Sequence, residues 1–251
     1  MNRNRDIKLI ALDMDGTLLN NHQEISAANH DAIAAAQARG VKVVLSTGRS
    51  FQSCRPFADL LGLESYLVTV NGSEIWDEQR SLVERIRMDP EEIEWLGMLA
   101  KKYQTSFWTT TTDGVFHNEL PADLSASEWL KFGFYFEKDL SVRETVLEMV
   151  KTRGELFEIS NSALDNLEIN HVGVNKASGL KKVCERLGLN MFQVMAIGDS
   201  LNDMAMVQKA GLGVAMANAQ DTLKEAADWI TSTNENDGVA HAIEKWVLAN
   251  R

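Results

Sequence analysis

The chain has 251 residues, 45% of them hydrophobic and 24% charged, with a formal net charge of −11. That length holds one large domain or two modest ones, and the balance is that of an ordinary globular protein. The acidic excess argues against nucleic acid or an anionic membrane as partner, and no apolar run approaches the ~18–20 residues of a membrane span.

The N-terminus reads as a short loose tail without an apolar h-region. Residues 7–12 then form a continuous apolar strand, the pattern of a parallel strand covered on both faces. It ends at Asp13-Met14-Asp15-Gly16. Carboxylates at the end of a buried run lose hydration and need a cation, hydrogen bonds or a partner charge; a turn that carries acids is the plainer alternative. The stretch "SAANHDAIAAAQARG" reads as a helix with Ser26 as N-cap and Gly40 at its stop. "VKVVLSTGR" is a second strand, residues 52–61 a second helix and "YLVTVNG" a third strand. This alternation predicts right-handed crossovers and a doubly wound parallel sheet.

The rhythm then changes. Residues 74–76 and 82–87 read as a strand pair. "DPEEIEWLGMLAKKY" reads as a helix with Asp89 as N-cap, Pro90 at the first position and Glu92 completing a capping box. Residues 106–112 and 115–118 read as a hairpin around Asp113-Gly114. Ser141 and Glu144 suggest a second capping box, and residues 155–160 and 164–170 two more strands. Hairpins in place of crossovers predict a separate α+β domain over residues 82–172, inserted into a core made of 1–81 and 173–251. Most of the aromatic residues fall in this insertion and are expected to build its core, with Trp108, His117 or Trp129 left to face a ligand.

From residue 175 the α/β alternation returns, and "QVMAIGDS" is a strand ending in Asp199. Ligands of such sheets sit beyond the carboxyl ends of the strands. Those ends carry Asp13 and Asp15, then Thr47, Gly48 and Arg49, then Asp199 with Asn202 and Asp203 close behind, while Lys176 opens a helix. Oxygen ligands without His or Cys favour a hard cation, Mg²⁺ first. A hydroxyl, an ammonium and backbone N–H groups beside it suit a phosphate. Cys54 and Cys184 lie far apart without metal-ligand spacing and read as buried thiols of a reducing cytoplasm.

Four stretches, "DMDGTLLN", "STGR", "VGVNKASGL" and "IGDSLNDMAM", resemble the four motifs of the haloacid dehalogenase-like phosphatase superfamily. The chain is most similar to its Cof-type hydrolases, which carry a large cap between the second and third motifs. The similarity extends to the tail, with Ala177 in place of the glycine that often follows the lysine. It implies a Rossmann-like core with an inserted α+β cap, and a Mg²⁺-dependent phosphatase of small phosphorylated metabolites. It further implies Asp13 as nucleophile forming an aspartyl-phosphate, and Asp15 as acid and base. Met14 N–H, Thr47, Gly48 N–H, Lys176 and Asn202 would bind phosphoryl oxygens. The metal would be held by Asp13, the Asp15 carbonyl and Asp199, with Asp203 acting through water. A phosphomutase and a receiver-type phosphoacceptor are the rival readings; the large cap and the whole-chain similarity argue against the first, and the cap and an acid/base Asp15 against the second. The expected partner is a small phosphate ester met by a monomer or small homo-oligomer.

Overall fold

The computed structural model describes residues 6–137 and 140–249. The tail expected over residues 1–5 lies outside the described residues.

The larger sheet is built around β1 (Leu9–Leu12), with β2 (Lys42–Ser46) on one side and β11 (Val194–Gly198) on the other. β3 (Leu67–Thr69), β12 (Leu212–Ala215) and β13 (Trp229–Ile230) extend the parallel part. β4 (Glu74–Trp76) and β5 (Leu82–Arg85) add antiparallel strands at one edge, giving the order β13-β12-β11-β1-β2-β3-β4-β5. The alternation of side chains sorts β1 onto two apolar layers. Ile10 and Leu12 pack with α1 (Ala27–Ala38), α2 (Phe51–Leu60) and α8 (Gly238–Ile243). Leu9 and Ala11 pack with α5 (Lys176–Leu187) and α6 (Met204–Lys209). Helices on both faces explain why the parallel strands are apolar without alternation. α7 (Asp221–Ala226) packs Leu223 into the first of these layers.

Two of the three helix-start signals in the sequence hold. Ser26 Oγ accepts from Asn29 N–H at 3.1 Å and caps α1. α3 (Pro90–Tyr103) has its reciprocal capping box at Asp89 and Glu92. The box expected at Ser141 does not form, because α4 (Leu140–Lys151) already includes Ser141. The Ser141 carbonyl accepts from Thr145 Oγ1 at 3.0 Å inside the helix.

The smaller sheet is antiparallel, in the order β7 (Val115–His117), β6 (Ser106–Thr111), β8 (Trp129–Tyr135), β10 (Asn166–His171), β9 (Phe157–Ser160). Its central strand β8 was not expected, because its near-continuous aromatic run hides the alternation. Phe132 and Phe134 face α3 and α4, with Ile93, Leu96, Val146 and Val150. Lys131, Gly133 and Tyr135 therefore point the other way. β5, at the expected start of the insertion, pairs with β4 in the larger sheet. Ser73 Oγ donates to Leu130 O at 2.9 Å, and Asn170 Nδ2 donates to Val70 O at 3.1 Å, so the polar face of the smaller sheet is bonded to the strand ends of the larger one. Cys54 and Cys184 are buried, and burial pushes their thiols up to about 12 and about 11. Among the described residues no helix is long and apolar enough to cross a membrane.

Candidate active site

Three neighbouring strands, β11, β1 and β2, deliver their ends to one place. Asp13 follows β1 directly, Asp199 follows β11, and Thr47 follows β2. The turn after Asp13 is possible only with glycine. Gly16 has φ +77°, and a Cβ there would stand 2.5 Å from Asp199 Oδ2. Asp13, Asp199 and Asp203 each bring an oxygen within 4.8 Å of the others.

Lys176, in the first turn of α5 and wholly buried, joins two of these acids. Its Nζ donates to Asp13 Oδ1 at 2.6 Å and to Asp203 Oδ1 at 2.7 Å. The second oxygen of Asp203 accepts from the N–H groups of Asp199 and Ser200 at 3.0 and 3.1 Å. Asp203 is thus the anchor that fixes both the lysine and the turn after β11. Burial works against the charge on Lys176, but Asp13 and Asp203 outweigh it and hold its pKa above the ordinary lysine value. One ammonium does not balance three carboxylates. Burial, then repulsion from Asp13 and Asp203, lifts the Asp199 carboxyl to about 9. Burial lifts Asp13 to about 7 against the pull of Lys176. A buried, oxygen-only set with excess negative charge fits a hard divalent cation.

Asp15 lies apart from this cluster. Its carboxylate accepts a two-pronged contact from Arg49, Nε to Oδ2 at 2.7 Å and a terminal nitrogen to Oδ1 at 2.5 Å. A terminal nitrogen of Arg49 also donates to Gln23. Only the main chain of Asp15 remains for the metal ligation expected of it. Met14, between the two acids, has its side chain in the core, so only its backbone can meet a ligand. Thr47 is buried, and its hydroxyl accepts from Arg49 N–H at 3.1 Å. Asn202 is held by Ser200 Oγ at 2.9 Å.

A cavity of about 260 Å³ opens above these groups. Asp13, Asp15, Gly48, Arg49, Ser200 and Asn202 line it from the larger sheet, and Lys131, Ser162 and Glu168 from the smaller one. Lys131 donates to Gly48 O at 3.0 Å and lies 3.3 Å from Glu168. Glu168 accepts from Asn71 Nδ2 at 2.6 Å and from Ser162 Oγ at 2.8 Å. Asn71 is in the left-handed region, with φ +57°, two residues after the end of β3. The residues 131, 162 and 168 were not among the expected site residues. Their signal was a charge inside an apolar run, Lys131 in "WLKFGF" and Glu168 in "NLEIN", where a carbon chain would otherwise be cheaper to bury. The expected ligand-facing Trp129 is 1% exposed instead; its ring packs in the core of the smaller sheet and its Nε1 donates to Leu124 O at 2.7 Å. Trp108 and His117 pair in register, and Trp108 pairs with Gly133, so both share the face of Lys131 and Glu168. Neither is among the residues lining the cavity.

The sequence matches a family described as haloacid dehalogenase-like hydrolase over residues 10–142 and 119–243. It is 54% identical over 243 residues to the 5-amino-6-(5-phospho-D-ribitylamino)uracil phosphatase of Bacillus subtilis, covering 97% of both chains. It is 32% identical over 260 residues to the phosphoglycolate phosphatase of Methanobrevibacter smithii, covering 97% of this chain and 100% of that one. Among solved structures, a haloacid dehalogenase-like hydrolase from Bacteroides thetaiotaomicron superposes with a TM-score of 0.76 at 30% identity, covering 95% of this chain and 99% of its own. One from Bacillus subtilis gives a TM-score of 0.84 at 26% identity with the same coverage.

Proposed function

The chain belongs to the haloacid dehalogenase-like hydrolase family and is a phosphoric monoester hydrolase, and on that premise we propose that Asp13 is its nucleophile, Asp15 its acid and base, and Mg²⁺ its cofactor. The observation that carries this reading is the Asp13 carboxylate, buried at the end of β1 and held by Lys176 at 2.6 Å beside Asp199 and Asp203. Asp13 attacks phosphorus and the ester oxygen leaves, which divides one difficult displacement into two. Lys176, Thr47, Asn202 and the N–H groups of Met14 and Gly48 bind the phosphoryl oxygens, a fixed set of donors that needs no reorganisation as charge moves. Asp13, Asp199 and the main-chain carbonyl of Asp15 hold the ion, with Asp203 behind them. When bound, the cation supplies the positive charge that lets these acids stay ionised beside a phosphate.

Asp15 has two tasks, protonating the leaving oxygen and then taking a proton from water. Both of its oxygens accept from Arg49, which holds the carboxylate beside the cavity that Arg49 also lines.

We assign the insertion to residues 87–172, as a cap that excludes water during the reaction. The substrate class is small phosphorylated metabolites, such as sugar phosphates or phosphorylated cofactor precursors. A phosphorylated ribitylamino-pyrimidine is the first to test, because the Bacillus subtilis relative is named for one. The acidic charge fits no nucleic-acid or membrane partner, the reduced thiols fit the cytoplasm, and the protein works as a monomer or small homo-oligomer. A phosphate-release screen of the purified enzyme over a metabolite panel, ranked by kcat/KM with and without Mg²⁺, tests the reading. It predicts turnover that stops with a chelator and returns with Mg²⁺. Full turnover in metal-free protein contradicts it.

A further inference from the structure

We infer that the Lys131–Glu168 pair is the element of the site that reads the leaving group, and that the class it selects is an uncharged, hydroxyl-bearing chain; this rests on the phosphatase reading above. The division of the cavity wall is the starting point. The side chains of the larger sheet account for the phosphoryl group and its cation. What remains is Arg49, whose fork is taken by Asp15, and Ser200, which donates to Asn202, together with Lys131, Ser162 and Glu168, the three polar side chains that the insertion brings to the wall. Lys131 and Glu168 also stand directly over the phosphate loop. A Cβ on Gly48 would meet Lys131 Nζ at 3.3 Å and Glu168 Oε2 at 3.6 Å. A leaving group that extends from a phosphoryl centre at Asp13 towards the insertion has to pass them.

The pair is a costly way to hold the two sheets together. Each side chain is 5% exposed. Desolvating two charges often outweighs their attraction, so packed apolar side chains would serve a latch better. The smaller sheet already has such residues in abundance on its other face. The pair carries no net charge, so it does not attract a second anion or a cation as a lone charge would. It does offer directed donors and acceptors. An ammonium has three donors; Lys131 gives one to Gly48 O at 3.0 Å, lies 3.3 Å from Glu168 and is part of the cavity wall. A carboxylate has about four acceptor sites. Glu168 Oε2 serves Asn71 and Lys131, while Oε1 accepts from Ser162. Burial alone would raise the pKa of Glu168, but Lys131, Asn71 and Ser162 outweigh it and lower it, so the group remains an acceptor. A hydroxyl, donor and acceptor at once, is the neutral group that can satisfy both partners.

The pair is also held rigid, as a reading element must be. Ser162 Oγ accepts from Asn166 Nδ2 at 2.9 Å, and Asn71 Nδ2 lies 3.3 Å from Asn170 Oδ1.

The test compares ribitol 5-phosphate with n-pentyl phosphate, two primary five-carbon esters that differ in the hydroxyls. kcat/KM is measured for the wild type, Glu168→Gln, Lys131→Met and Ser162→Ala. The wild type should prefer the polyol ester by at least about 10²-fold, since a site built to bond a hydroxyl rejects the analogue lacking it. Glu168→Gln and Lys131→Met should lower kcat/KM for ribitol 5-phosphate at least about 10-fold more than for n-pentyl phosphate, so that the preference between the two esters falls. Ser162→Ala keeps both charges and should move the same ratio less, which preserves the test if a charge variant does not fold. Equal losses on both esters, or a wild type without preference, overturn the inference and leave the phosphatase reading standing. A wild type that also releases no phosphate from p-nitrophenyl phosphate overturns that reading instead.

Discussion

At the scale of single residues, the site is a problem of charge compensation. Lys176 balances two buried acids, so Lys176→Met should leave Asp13 and Asp203 uncompensated. Removing one partner of a buried pair costs about 3–5 kcal/mol, and urea unfolding of the metal-free variant should show a loss of that order together with loss of turnover. An unchanged midpoint would mean that the acids do not depend on the lysine. Gly16→Ala tests the other constraint. Its methyl would strike Asp199 Oδ2 from a backbone with φ +77°, so the Mg²⁺ concentration for half activation should rise by about tenfold or more, a shift of ~1.4 kcal/mol. Activation at the wild-type concentration would show that Asp199 does not hold the ion. These residues were legible in the sequence because strand ends are local: an apolar run that stops at an acid names its own position. Lys131 and Glu168 were not, because their meeting depends on the pairing of β8 with β10, which brings residues 37 positions apart in sequence together across Gly133. Nothing in either local stretch specifies that register.

At the scale of elements, local chemistry set some boundaries and tertiary structure set others. The box at Asp89 is reciprocal, with the Glu92 carboxylate accepting from Asp89 N–H at 2.9 Å. Asp89→Ala should cost about 0.5–2 kcal/mol of stability, read as a lower thermal midpoint. A thermal midpoint equal to that of the wild type would show that the box contributes nothing to α3. The Ser-x-x-Glu spacing in residues 141–144 looked like a start signal, but a spacing has no means of marking whether the helix has begun already. β8 escaped notice for a related reason. Gly133 stands in its middle and Tyr135 follows Phe134 directly, so the period of two shows only once Phe132 and Phe134 are seen to face α3 and α4.

At the scale of the whole molecule, stability, metal and pH are linked through the acidic cluster. Asp199 has its ordinary carboxyl value of 3.8 lifted to about 9 in the folded chain, first by burial and then by Asp13 and Asp203. Between those two values the folded, metal-free protein binds more protons than the unfolded chain. Stability therefore falls as pH rises through that window. A cation that takes the place of the protons should remove the penalty. The gain in thermal midpoint on adding saturating Mg²⁺ should accordingly be larger at pH 8 than at pH 5, read by differential scanning fluorimetry. A gain independent of pH, or none, would separate the cluster from metal binding. The doubly wound core and the inserted α+β unit were both visible in the order of elements. The face that the insertion turns to the core was not, since it is set by bonds such as Lys131 to Gly48 and Asn170 to Val70. The central claim is that Asp13 becomes phosphorylated in turnover, and trapping is its most direct measurement. Enzyme quenched during steady-state turnover and treated with borohydride should contain homoserine at position 13, as reduction of an aspartyl-phosphate requires, and Asp13→Asn should contain none and turn over at background rate. Homoserine at another aspartate, or sustained turnover by Asp13→Asn, would contradict the account.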